Sequence, residues 1–177
     1  MKRLYTLASL LMLAVAVIAQ PDWAKKASKS VFTLKTFDAD GALLFSANGF
    51  FVGNGGEAVS CFSPFKGASR AVVIDAAGKE IPVECLLGAN ETYDVAKFKV
   101  EKGKVQPLAI AKTNAAKDEN VWLLPYHEIK RVPQGKVQKT EAFNGDYAYY
   151  TVELTMPENT VGTPLINANG EVIGLMQ

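Results

Sequence analysis

The residues able to do chemistry are few, and one of them limits the rest. His127 is the single histidine of the 177-residue chain, so any Ser-His or Cys-His mechanism has to run through it. Its setting, Pro125-Tyr126-His127-Glu128-Ile129-Lys130, reads as a strand leaving into a polar loop, where a histidine is ordinarily a solvated surface side chain. To act as a base it would need a nucleophile such as Ser63, Thr160 or Cys61 within hydrogen-bond reach, and the spacing gives no sign of one. The acidic residues fall singly at strand ends and turns, a solvated-surface pattern that offers no carboxylate pair for acid-base work. Cys61 and Cys85, with one distant histidine, match no zinc spacing. They permit a single disulfide, Cys61 to Cys85, with two small buried thiols as the other reading. Asn90-Glu91-Thr92 fits the three-residue glycosylation pattern and equally fits a plain turn before Asp94. No motif calls for a metal or a cofactor, and none is expected.

The elements that must position these residues read almost entirely as β. Pro21 to Ala27 predicts a short helical turn with Asp22 as its cap. After it, runs rich in valine, phenylalanine, isoleucine, leucine, tyrosine and threonine alternate with turn clusters such as Asp38-Ala39-Asp40-Gly41, Gly53-Asn54-Gly55-Gly56 and Asn167-Ala168-Asn169-Gly170. The expected strands are 30–38, 43–53, 57–62, 70–76, 80–87 and 94–100, then 119–124, 134–142, 147–155, 163–166 and 171–176. Eleven short strands without a long helical period predict barrels or a sandwich. The charged stretch Glu101-Lys102-Gly103-Lys104 divides six strands from five, so that 20–104 and 105–177 read as two β units.

Composition narrows the function classes. With 19 basic and 18 acidic side chains, 49% hydrophobic and 10% aromatic residues, the chain is an ordinary globular one, neither disordered nor coiled coil. A net charge of +1 with no basic run beyond Lys25-Lys26 provides no clustered face for nucleic-acid phosphates. At the start, Lys2 and Arg3 precede an apolar run from Leu4 to Ile18, and Val17-Ile18-Ala19 presents small residues for signal cleavage. A run of ~15 apolar residues falls short of the ~20 that span a bilayer. The expectation is therefore an exported protein, periplasmic or secreted, cleaved after Ala19 and without stable membrane insertion.

Taken together in order, several segments resemble trypsin-fold serine proteases, and most closely the HtrA-type enzymes of the bacterial envelope. Ala24-Lys25-Lys26-Ala27-Ser28-Lys29-Ser30-Val31 is similar to their opening helix and first strand, and Asn48-Gly49-Phe50-Phe51-Val52 to their Gly-Ser-Gly-hydrophobic second strand. Gly56-Glu57-Ala58-Val59-Ser60 resembles the strand leading to the catalytic histidine, and Gly88 to Ala96 the segment that ends in the catalytic aspartate and Leu-Ala. Thr163-Pro164-Leu165-Ile166-Asn167 with Gly170-Glu171-Val172-Ile173-Gly174 resembles the strand pair after the nucleophile loop. The resemblance implies an all-β, trypsin-like double β-barrel: an N-terminal barrel over 20–104 and a C-terminal barrel over 105–177 that lacks its last strand.

Carried over position by position, the resemblance implies a degenerate triad. Ser63 stands where the family places its general-base histidine, Asp94 matches the orienting aspartate, and Val161 stands at the nucleophile. Asn159, Thr160 and Gly162 make up the rest of the oxyanion loop, Asn159 replacing a glycine whose N–H helps hold the oxyanion. The expected function is thus a non-catalytic binding or structural module. Its expected partner is an extended peptide or protein strand, or a second copy, taken through the open C-terminal half. Two alternatives stand beside it: a working serine-type hydrolase with an unorthodox site built on His127, and an N-terminal fragment of a larger envelope protein.

Overall fold

The computed structural model describes residues 20–101, 105–126, 132–143 and 147–177. The expected leader at 1–19, most of the charged divide at 101–104, His127 and the turn at 144–146 lie outside the described residues.

Among the described residues eleven strands form, as the turn spacing predicts. The first six are β1 (Val31–Phe37), β2 (Leu43–Phe51), β3 (Glu57–Ser60), β4 (Arg70–Ile74), β5 (Glu80–Asn90) and β6 (Val95–Val100). They are followed by β7 (Asn120–Leu123), β8 (Gln134–Phe143), β9 (Tyr147–Glu153), β10 (Pro164–Ile166) and β11 (Val172–Leu175). The first six close into a barrel in the order β1-β2-β3-β6-β5-β4, every neighbouring pair antiparallel. The other five form a nearly closed second barrel, ordered β11-β10-β7-β8-β9. The expected double-barrel, all-β fold is therefore the one observed. Strand β5 runs beyond the expected 87, to Asn90, because bulges between Val83 and Cys85 and between Leu86 and Gly88 let it follow β6 to the Asn90–Val95 pair. No helix among the described residues is long and apolar enough to cross a membrane.

Adjacent residues on one strand feed different cores, and this sets the two barrels face to face. Phe51 points into the first barrel with Phe32, Leu34, Val73, Phe98 and Val100, whereas Phe50 turns outward to Val31, Leu124, Ile166 and Val172 between the barrels. The second barrel fills with Val121, Leu123, Val137 and Leu165. Side chains on a strand alternate between faces, so β2 can be buried on both and its sequence loses the polar alternation of a one-sided strand. Gly49 is required by this packing: a Cβ there would lie 2.4 Å from the Phe32 ring and 2.8 Å from the Val59 carbonyl oxygen.

The opening helical turn, α1 (Ala24–Ala27), differs from the expectation at its cap. Trp23, not Asp22, is the capping residue and makes no side-chain cap bond. A four-residue helix gains little from a cap; this one is held by tertiary contact instead. The Trp23 Nε1–H donates to the Ala168 carbonyl at 3.1 Å, and its indole meets Trp122 edge-on with centroids 5.9 Å apart. This opening turn is thereby pinned to the second barrel.

Candidate functional site

Four pieces of chain meet at the seam between the barrels: the exit of β3, the turn into β6, the loop 154–163 before β10, and the end of β11. All the positions that the sequence assigns to a triad and its oxyanion loop lie on these pieces.

Beyond β3 the chain tightens into a 3-10 turn, Ser63–Phe65, with Pro64 in its first positions. Such a turn leaves N–H groups without local acceptors, and Asp94 supplies them from across the barrel. Ser63 N–H donates to Asp94 Oδ1 at 2.6 Å, Ser63 Oγ–H donates to Asp94 Oδ2 at 3.0 Å, and Phe62 N–H donates to the Asp94 carbonyl at 3.2 Å. Both carboxylate oxygens are thus engaged by one residue. Asp94 holds a left-handed backbone, φ +46°, which costs a non-glycine residue on the order of 1 kcal/mol, and aspartate is among the residues that tolerate it best. The structure therefore brings Ser63 and Asp94 into direct contact, as a capping pair.

The loop that carries Asn159, Thr160, Val161 and Gly162 is fastened to the first barrel by Asn48, a nearly buried polar side chain on β2. Asn48 N–H donates to the Val161 carbonyl at 2.7 Å; its Nδ2 donates to the Asn159 carbonyl at 2.6 Å and to Thr163 Oγ1 at 2.9 Å. Ser60 Oγ–H donates in turn to the Asn48 carbonyl at 2.6 Å. Within the loop, Thr163 N–H reaches the Thr160 carbonyl at 2.9 Å, and Gly162 N–H is spent on the Met176 carbonyl at 2.7 Å. Asn159 adopts φ +55°, so asparagine does take up the left-handed conformation that a glycine would supply freely. Gly162 is at φ +79° with the Asn48 carbonyl oxygen only 2.0 Å from where a Cβ would sit, so glycine is the residue that fits there.

Cys61, two residues before Ser63, belongs to this site as well. Fully buried, it lies among Asp94, Gly162 and the end of β11, its Sγ–H directed at the Met176 carbonyl at 3.5 Å. Burial pushes its thiol up to about 12, the charge of Asp94 and a hydrogen bond to it push the same way, and the Gly162 amide offsets only part. A thiol held protonated in this way is a poor nucleophile at neutral pH. Cys85 is exposed on β5, and both thiols are free, so the possible Cys61–Cys85 bridge is not formed and the reading of two buried thiols holds for Cys61 alone. Alternation does not bury Cys85 because that stretch of β5 pairs with β6 through two bulges that turn it to solvent.

The sequence reading missed Asn48. A usable signal was present, since an asparagine inside an otherwise apolar, doubly buried strand must find partners. Those partners, however, lie 111 and 115 residues away. At the far rim of the site Tyr93 stacks on Tyr147, centroids 3.9 Å apart and 13° from parallel, which links the β5–β6 turn to β9. Gln177 Nε2 donates to the Tyr93 carbonyl.

Residues 47–175 match the family model of the trypsin-like peptidase domain. A comparison with curated proteins gives no match.

Proposed function

The chain belongs to the trypsin-like peptidase domain family, and we propose that within it this is an exported, non-catalytic member, nearest to the HtrA-type enzymes, that binds extended polypeptide rather than cleaving it. The observation that carries the reading is the pairing of Ser63 with Asp94 through both carboxylate oxygens, at 2.6 and 3.0 Å. In a working triad that carboxylate accepts the N–H of an imidazole and fixes its tautomer. Here a serine hydroxyl takes the place, and a hydroxyl cannot accept and return a proton near pH 7 as imidazole does. Val161, at the nucleophile position, has no atom able to attack a carbonyl carbon. The leader-like residues Lys2 to Ala19 support export to the periplasm or beyond.

Incubation of the purified protein with a fluorophosphonate probe tests the reading. The expected result is no covalent adduct at a concentration that labels trypsin completely. An adduct on any serine or threonine, located by peptide mapping, would overturn it.

A further inference from the structure

In the first barrel, β5 outruns one of its two neighbours. β4 accompanies it only from Glu80 to Pro82, whereas β6 follows it on the other side to Asn90. From Glu84 onward one edge of β5 therefore has no neighbouring strand among the described residues. All six residues from Glu84 to Ala89 are exposed, Leu86 at 45% and Leu87 at 49%, and the run after Glu84 carries no charge. Soluble proteins ordinarily shorten, charge or cover an apolar edge of this kind. The ladder with β6 fixes the faces: Cys85 and Gly88 lie opposite Lys99 and Lys97, and Leu86 and Ala89 lie opposite the buried Phe98 and Ala96. Glu84 belongs to the first face through its ion pair with Lys99 at 3.1 Å. On that face Gly88 has open space where a side chain would stand. Its neighbour Lys97 is exposed and makes no ion pair among the described residues.

We infer that this edge pairs with the same edge of a second copy of the chain, antiparallel, about a two-fold axis at Leu86. With Leu86 opposite its own counterpart, Cys85 falls opposite Leu87 of the second copy and Glu84 opposite its Gly88, and symmetry makes each contact twice. The faces agree in this register, since Glu84 and Gly88 share the face of Lys97 and Lys99 while the two Leu86 side chains meet on the other. The charges agree as well. Gly88 puts no side chain between Glu84 and the Lys97 beyond it, so the carboxylate of one copy meets the ammonium of the other across the junction. A foreign strand would have to supply a cation at this one position, and a second copy brings it by symmetry. The Cys85 thiols are two residues out of register, which puts their Cα atoms about 8 Å apart, beyond the ~7 Å a disulfide can bridge, so the association is non-covalent. The surface lies on the outer edge of the first barrel and is independent of the chemistry at the seam.

Light scattering on the intact protein tests this, and the mass should rise from monomer to dimer with concentration. Lys97→Glu and Glu84→Lys each set like charges face to face at both contacts, so either variant alone should dissociate at least ~tenfold more readily. An equimolar mixture of the two should recover the wild-type dimer, because each copy then supplies the charge that the other lacks. Leu86→Cys in a Cys85→Ser background should form an intermolecular disulfide with oxidised glutathione, and Cys85 in the wild-type protein should not. Wild-type protein that stays monomeric up to roughly 1 mM would overturn the inference. So would a dimer that neither charge reversal weakens, a mixture no tighter than the single variants, or crosslinking that is faster through Cys85 than through the Leu86→Cys position.

Discussion

Replacing Cys61 by alanine should change how stability depends on pH, by an amount that the site fixes. The folded protein holds this thiol at about 12 against an ordinary value of 9.0, chiefly by burial and secondarily through Asp94. Because the folded value is the higher one, the native state keeps its proton while the unfolded chain releases it. The associated stability is therefore complete below about pH 9 and drains away between about pH 9 and pH 12. Each unit is worth about 1.36 kcal/mol. At roughly pH 10.5 the unfolded thiol has gained about 2 kcal/mol from ionisation, the native thiol almost nothing, and at pH 8 neither has gained appreciably. Urea unfolding at the two pH values, with Cys85→Ser in both proteins, should show the Cys61-bearing protein losing about 2 kcal/mol more than Cys61→Ala over that interval. Lysines and tyrosines titrate in both proteins alike, so the difference isolates the one thiol. Parallel pH profiles would refute the reasoning: they would mean that Cys61 is solvated in the folded state, and its rapid modification by a thiol reagent under native conditions would then follow.

The remaining predictions concern the seam between the barrels. Asn48→Ala removes the donor from the solvent-accessible Asn159 carbonyl and leaves the buried Thr163 hydroxyl without it, and should cost about 1–3 kcal/mol in urea unfolding, with faster exchange of the 159–163 amides. Gly162→Ala, forced into φ +79° with its Cβ against the Asn48 carbonyl, should lose on the order of 2–3 kcal/mol, and the thermal midpoint should fall accordingly. The double variant Ser63→His with Val161→Ser should show no cleavage of a casein substrate above buffer. A preorganised oxyanion donor is worth roughly 2.7–4 kcal/mol of barrier and is not restored by two side chains; measurable cleavage would contradict this.

How far the sequence could be read depended on the range of the interactions. Turn clusters and period-two runs are local, so all eleven strands could be placed, most within two residues of their observed ends. The order of strands within each barrel is not local, and it came through likeness to a family rather than from periodicity. The error at β5 has the same origin: the stretch Leu86-Leu87-Gly88-Ala89 looks like an ending, but pairing with β6 carries the strand through two bulges to Asn90. Asp22 looked like a cap because Asp before a short helical run often is one, yet tertiary anchoring of Trp23 decides that helix. At the site, the contact of Ser63 with Asp94 could be anticipated because both positions match one motif set. Cys61, two residues before Ser63 and read as a buried thiol, could be placed beside them, whereas Asn48 could not be, since its partners lie more than a hundred positions away.

The hydrogen bonds around the triad positions support the non-catalytic reading proposed above. A catalytic cleft keeps polar groups in reserve for a charge that develops only in the transition state. Around the triad positions here, Asp94 accepts both donors of Ser63, Asn48 Nδ2 donates to the Asn159 carbonyl and to Thr163 Oγ1, and Gly162 N–H donates to the Met176 carbonyl. Those bonds stabilise the contact between the barrels and leave a substrate carbonyl little to displace without breaking a native pair, at about 1–3 kcal/mol for each group left unpaired.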